Sequence, residues 1–130
     1  MKVEDEARRP GIEMKTREVL VAVPDLFFST RIMSTAQQLG VEVVACAPSE
    51  LAACARSAIP DVAIIDLHAE GALDGVRALR ADPVIAGVRV VGFYSHVDNA
   101  LRGAAIEAGV ADPMPRSAFT ARLSEILSGI

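Results

Sequence analysis

Long hydrophobic runs are missing from this chain of 130 residues. None approaches the roughly 18 consecutive apolar residues that a membrane-spanning helix needs. Positive charge is not in surplus either: 13 Lys and Arg stand against 17 Asp and Glu, a formal net charge of −4. That balance offers nothing to attract a nucleic-acid backbone or an anionic membrane. Cysteine is scarce. Cys46 and Cys54 form no Cys-x-x-Cys pair and have no zinc-ligand spacing. One falls in an apolar run and the other among alanines, so both read as small buried hydrophobes rather than redox centres. Internal repeats and low-complexity tracts are also absent. The opening residues, MKVEDEARRPGIEMKTRE (1–18), are too charged to be a secretory signal. They read as a flexible charged tail before one domain at 19–130, with a cytoplasmic location expected.

What is present is a regular alternation. The chain is 52% hydrophobic and 23% charged, an ordinary balance for a single core. Four short, β-branched runs are nearly continuously apolar: VLVAV (19–23), VEVVAC (41–46), VAIIDL (62–67) and VRVVGFY (88–94). Such runs suit parallel strands covered on both faces. A fifth, VADPMP (110–115), holds two prolines that cannot donate to a ladder, which assigns it to a sheet edge.

Helical periods fill the gaps. Phe28, Ile32, Ala36 and Leu39 precede a stop at Gly40. Ser49 is placed to cap a helix carrying Leu51, Ala55, Ala58 and Ile59 on one face, with Pro60 beyond it. Val76 and Leu79 mark a third helix that ends near Pro83. Asp98 can cap a fourth, with Leu101, Ala105 and Ala108 inward and Gly109 as its stop. Ser117 can cap a fifth, with Phe119, Leu123, Ile126 and Leu127 on one face. Five βα units joined by right-handed crossovers give an α/β, doubly wound parallel sheet with helices on both sides. Sites in such sheets form at the carboxyl ends of the central strands. That gathers Val23 to Asp25, Asp66, Ser95 and Arg116.

The stretch VAIIDLHAEG (62–71) runs an apolar strand into Asp66. Three uses of this aspartate are open: a phosphoryl acceptor, part of a cofactor motif Asp-x-His-x-x-Gly, or a polar strand end. The cofactor motif is that of cobalamin-binding domains, where the histidine ligates cobalt. There it follows the first strand; here it follows the third, and the downstream glycine pair is lacking, Gly92 and Gly103 being isolated. The match reads as chance, with His68 and His96 as exposed loop residues. Flavin is disfavoured too, because VPDLFFST (23–30) lacks the glycine- and hydroxyl-rich composition that cradles a phosphate.

Two segments carry a family resemblance: PDVAIIDL (60–67) and LRADPVIAGVRVVGFYSHVD (79–98). With them, residues 19 to 127 resemble the receiver domain of bacterial response regulators. The resemblance implies a flavodoxin-like, CheY-like (βα)5 fold with strand order 2-1-3-4-5. It also implies a phosphoryl-transfer site made of an acidic pair holding Mg²⁺, an acceptor aspartate, a Ser or Thr, and a lysine. Asp66 matches the acceptor and Ser95 the hydroxyl residue, while Arg116 stands at the lysine position. Arginine keeps the charge but is planar and bulkier. Aligned by the distance to Gly40, the acidic pair becomes Val23 and Pro24; aligned by DLFFSTRI (25–32), it becomes Pro24 and Asp25. Either way at least one acid is lost. No proline follows the acceptor closely, and Pro113 occupies the family's aromatic switch position.

With Asp66 and at most Asp25 as carboxylates, Mg²⁺ is weakly held at best, and a phosphoryl group lacks compensating charge. The expectation is therefore no cofactor and an Asp66 paired with Arg116, directly or through water. Asp25 is expected to cap the first helix rather than to ligate metal. Only one of Phe27 and Phe28 can face the core at helix spacing, leaving the other for a partner.

Three functions remain. The one adopted is an atypical receiver-like signalling domain. It acts by protein–protein contact, without Mg-dependent aspartyl phosphorylation and without enzymatic activity. The alternatives are a phosphorylatable single-domain response regulator of a two-component phosphorelay, with Asp66 as acceptor, and a small-molecule-binding domain using the pocket round Asp66. The resemblance places the interaction surface at 98–127, with Arg102, Glu107, Arg116 and Arg122 on it. A protein partner or a second copy of the chain would dock there, with no role for nucleic acid or membrane.

Overall fold

Alternate residues of each central strand are sealed under different helices, which makes the strands apolar from end to end. The computed structural model describes residues 16–95 and 98–129. The strands are β1 (Glu18–Ala22), β2 (Glu42–Ala45), β3 (Val62–Asp66), β4 (Arg89–Tyr94) and β5 (Met114–Pro115). All pairings are parallel, in the order β2-β1-β3-β4-β5. The helices are α1 (Leu26–Gln38), α2 (Leu51–Ala58), α3 (Ala72–Ala81), α4 (Asn99–Ala108), α5 (Arg116–Ala121) and α6 (Leu123–Ser128).

Side chains alternate across a strand with period two, so the sheet carries two cores. Leu20, Ala22, Ala63, Ile65, Val90 and Tyr94 share one core with Leu51 and Ala55 of α2, Val76 and Leu79 of α3, and Ala105 and Ala108 of α4. Val19, Val21, Val62, Ile64, Val91 and Phe93 share the other with Phe28, Ile32 and Ala36 of α1, Phe119 of α5, and Ile126 and Leu127 of α6. The expected doubly wound sheet and its order are those observed.

Several local expectations are corrected. Ser49 caps nothing. Pro48–Glu50 forms a 3₁₀ turn whose N-cap is Ala47, and α2 follows directly. This turn sits under α3: a Cβ on Gly71 would lie 2.7 Å from that of Ser49, and one on Gly75 would strike the Pro48 carbonyl. Close packing therefore fixes the turn in place of a side-chain cap. Ile59 does not face the core; it closes α2 in a left-handed conformation (φ 47°) that turns its side chain outward. Leu39 is likewise exposed, because α1 ends one residue earlier and Gly40 (φ 72°) reverses the chain. Ser117 is not a cap either: α5 begins at Arg116, with Pro115 at its N-cap. The fifth helix is broken at Arg122 into α5 and α6. Cys46 and Cys54 are half-buried rather than enclosed. Asp98 is a cap as expected, accepting from the Leu101 N–H at 3.0 Å.

The fifth strand shrinks to two residues. Val110 N–H turns back to the Ala105 carbonyl at 2.9 Å, and Pro113 has no N–H, so residues 110–113 do not extend the ladder. At the other end Glu18, read as tail, begins β1. Arg17 before it donates to the Leu127 and Ile126 carbonyls at 2.7 and 3.3 Å. Residues 1–15 of the tail, and His96, lie outside the described residues. Among the described residues, no helix is long and apolar enough to cross a membrane.

One residue without a sequence signal ties three elements together. Arg80 of α3 donates to the carbonyls of Gly109 (3.0 Å), Ala86 and Val88 (both 2.7 Å). It thereby joins the end of α4 to the loop that leads into β4.

Candidate functional site at the carboxyl ends of the strands

The chain leaves β1 at Ala22 and enters α1 at Leu26. Between them Val23 is buried, Pro24 offers no side-chain donor or acceptor, and Asp25 takes the N-cap. The Phe28 N–H donates to Asp25 Oδ1 at 3.1 Å, which satisfies one orphan donor of the helix. Phe28 then turns inward, 7% exposed, and Phe27 outward, 92% exposed, with Leu26 also largely open.

Asp66 ends β3, half-buried, in register with Phe93 of β4. Its Oδ1 accepts the His68 N–H at 2.9 Å, and its carbonyl accepts from Ala69 at 3.1 Å. This is an Asx turn: the carboxylate organises its own loop. Gly71, the last residue of the Asp-x-His-x-x-Gly match, starts α3 at φ 78° against Ser49. Packing thus accounts for that glycine without a cofactor. His68 lies exposed in the loop, as expected, and Ser95 lies exposed at the end of β4.

Arg116 is where geometry departs from expectation. Its guanidinium carbon lies 4.2 Å from the Phe28 ring centroid and 5.6 Å from that of Phe93. Phe28, Phe93 and Phe119 form one aromatic group, with centroid separations of 5.2, 5.7 and 4.8 Å. A planar cation is attracted to such a face. The Nε atom is buried there without a hydrogen-bond partner among the described residues. Nη2 reaches Asp25 Oδ2 at 3.8 Å. Among the described residues, the ion-pair partner of Arg116 is therefore Asp25, not Asp66. The expected direct contact is replaced because stacking aims the side chain at α1.

A hard divalent cation takes about six oxygens. Among the described residues, no three His, Cys, Asp or Glu side chains converge to hold a metal. Asp25 and Asp66 supply carboxylates here, but one caps a helix and faces a cation while the other closes its own turn. This donor set does not fit a dication cage.

On the 98–127 surface, Arg102 and Glu107 are exposed on α4, with Ile106 open between them. Arg102 faces Asp112 at 3.7 Å, and Arg122 faces Glu125 at 3.0 Å. Arg116, 34% exposed, belongs to the aromatic pocket more than to this surface. Sequence reasoning missed the aromatic platform, because its three rings come from α1, β4 and α5.

No protein-family model matches the sequence, and no curated protein matches it significantly. Solved structures do match in fold. The chemotaxis response regulator CheY4 of Vibrio cholerae is 18% identical, with a TM-score of 0.71, over 87% of this chain and 100% of that one. The phosphorylated cyanobacterial phytochrome response regulator RcpA is 17% identical, with a TM-score of 0.72, over 88% and 91%. The Mn²⁺-bound form of response regulator Rcp1 is 16% identical, with a TM-score of 0.68, over 88% and 91%. Sheet order, helix placement and these neighbours agree: the chain has the CheY-like fold of response-regulator receiver domains.

Proposed function

We propose that this chain is an atypical receiver-like signalling domain that works by protein–protein contact, without Mg-dependent phosphorylation of Asp66. The observation that carries this reading is the placement of Arg116. The cation that stands at the phosphate-pairing position is stacked on Phe28 and turned to Asp25. A phosphoryl group on Asp66 would gain little from it, and Pro24 removes a metal ligand. The domain then acts in its unmodified shape, as a binding surface rather than an enzyme. The exposed residues of α4 and the α5–α6 break, Arg102, Glu107 and Arg122, form its docking face for a protein partner or a second copy of the chain. The net charge of −4 argues against nucleic acid and anionic membrane as partners, and a cytoplasmic location accords with this reading.

The experiment is phosphorylation with a small phosphodonor in the presence and absence of Mg²⁺, followed by intact mass. The unmodified mass should persist in both. The second reading, a phosphorylatable regulator, is favoured by one fact: Asp66 ends β3 and Ser95 directly follows the adjacent β4, as acceptor and hydroxyl would, in a fold shared with the phosphorylated RcpA. Mg-dependent addition of a phosphoryl mass, lost in Asp66→Asn, would establish that reading instead.

A further inference from the structure

The strand β4 is longer than its neighbour. Only Phe93 and Tyr94 are paired with β5, opposite Met114 and Pro115. Among the described residues, the strand from Arg89 to Gly92 has β3 on one side and no strand on the other. Successive residues of a parallel strand direct their N–H and C=O groups to alternate sides. The Phe93 carbonyl faces β3, accepting from Leu67, so in this stretch Val90 and Gly92 turn their ladder groups to the outer edge, Val90 beyond the reach of β5.

A cleft of about 260 Å³ lies against that edge. It is lined by Val91 and Arg89 of β4, by Ala111 and Asp112 across from them, and by Arg80 and Arg122. Arg80 is pinned there by its three carbonyl bonds. Arg89 is exposed at the strand's start, and Arg122 lies exposed beside Glu125. Among the described residues, Asp112 is the one carboxylate on the lining, and it faces Arg102. A chain of net charge −4 thus concentrates three guanidiniums at an open strand edge.

We propose that this edge receives an extended, acidic segment of a partner protein, added as a short strand beside Arg89 to Val91. The open ladder groups supply the backbone hydrogen bonds, and the arginines select carboxylate side chains. Two or three residues, each rising about 3.3 Å, match the uncovered length of β4. A second copy of this chain is the poorer occupant, because edge-to-edge pairing would bring two arginine sets together. The inference rests on the reading of the chain as an interaction module and names the chemistry of its partner.

The test is fluorescence anisotropy of a labelled Val/Glu-alternating peptide against the full chain, beside its Val/Lys counterpart. The acidic peptide should bind, and raising salt from about 50 to about 500 mM should weaken it roughly tenfold or more. Arg89→Glu should weaken it at least about tenfold. Ala111→Trp, which fills the cleft without changing charge, should do the same. Both positions are exposed, so the variants should keep the wild-type circular dichroism. A proline at the centre of the peptide should abolish binding, which a purely electrostatic patch would not register. Equal binding of the lysine peptide, or indifference to Arg89→Glu and Ala111→Trp, would overturn the proposal. So would a concentration-dependent dimer abolished by Arg89→Glu, which would give the edge to a second copy. Phosphorylation of Asp66 with the peptide results intact would instead remove the reading above and leave this site standing.

Discussion

The guanidinium of Arg116 stacks on the ring of Phe28, 4.2 Å from its centroid. Phe28 follows the Asp25 cap by three residues, and Arg116 opens α5, so the contact joins the starts of two helices at the site. A cation on an aromatic face contributes roughly 0.5 to 2 kcal/mol, more as it is desolvated. A double-mutant cycle with Arg116→Gln and Phe28→Leu, read by urea unfolding, should give a coupling of about 1 kcal/mol. Additive effects would mean that the stack holds nothing, and that Arg116 is free to serve Asp66.

Arg80 should matter more to stability than anything at the carboxyl ends. Replacing it with Met leaves the carbonyls of Gly109, Ala86 and Val88 without their donor. Water can reach part of this site, so the expected loss is about 2 kcal/mol. Arg80→Lys should rescue little, because one ammonium cannot reproduce the fork of a guanidinium. The midpoint of urea unfolding distinguishes the cases; a full rescue by lysine would show that charge rather than geometry acts here.

The strands were legible because two-sided burial leaves a continuous apolar record: β3 and β4 were read within a residue of their ends. The Asp25 and Asp98 caps were legible because a carboxylate before a helical period has a local job. Ser49 and Ser117 offered the same signal and were misread. At Ser49 the close approach of α3 decided the turn, and at Ser117 the stacking of Arg116 accompanies an earlier helix start. The truncation of β5 was half legible, in its prolines. Arg80's partners are backbone carbonyls, which no residue type advertises. Topology places Asp25, Asp66 and Arg116 at the carboxyl ends of the strands, yet the direction of Arg116 depended on three rings far apart in sequence.

Cys46 should be chemically quiet. Burial, first, and then the neighbouring Cys54 thiol push its pKa up to about 12. The neutral thiol is therefore favoured through the ordinary working range, and the thiolate, which is the nucleophile, is suppressed. In a Cys54→Ser variant, where Cys46 is the sole thiol, burial remains, so most of the suppression should persist. Iodoacetamide alkylation followed against pH should still be rising above pH 10. A midpoint near the ordinary thiol value of 9.0 would show that Cys46 is not shielded as its packing indicates.

The most direct functional prediction sets Asp66 against Arg102. If the domain signals in its unmodified shape, Asp66→Asn should leave partner binding within about twofold of wild type. The change keeps the size, and an amide oxygen can still accept the His68 N–H that closes the turn. Arg102→Glu should weaken docking about tenfold, because it reverses charge on an exposed part of α4. It also places like charges opposite Asp112, but an exposed pair at 3.7 Å contributes well under about 1 kcal/mol to stability, so the fold should survive. In a phosphorylation-driven receiver the order inverts: Asp66→Asn removes the nucleophile, and the population shift that phosphate drives cannot occur. Both variants belong in one pull-down against partners captured by the wild-type chain, with thermal unfolding as the control for folding. Loss of capture in Asp66→Asn with Arg102→Glu unaffected would make this a conventional phosphoreceiver, and would require Arg116 to leave Phe28 when the phosphoryl group arrives.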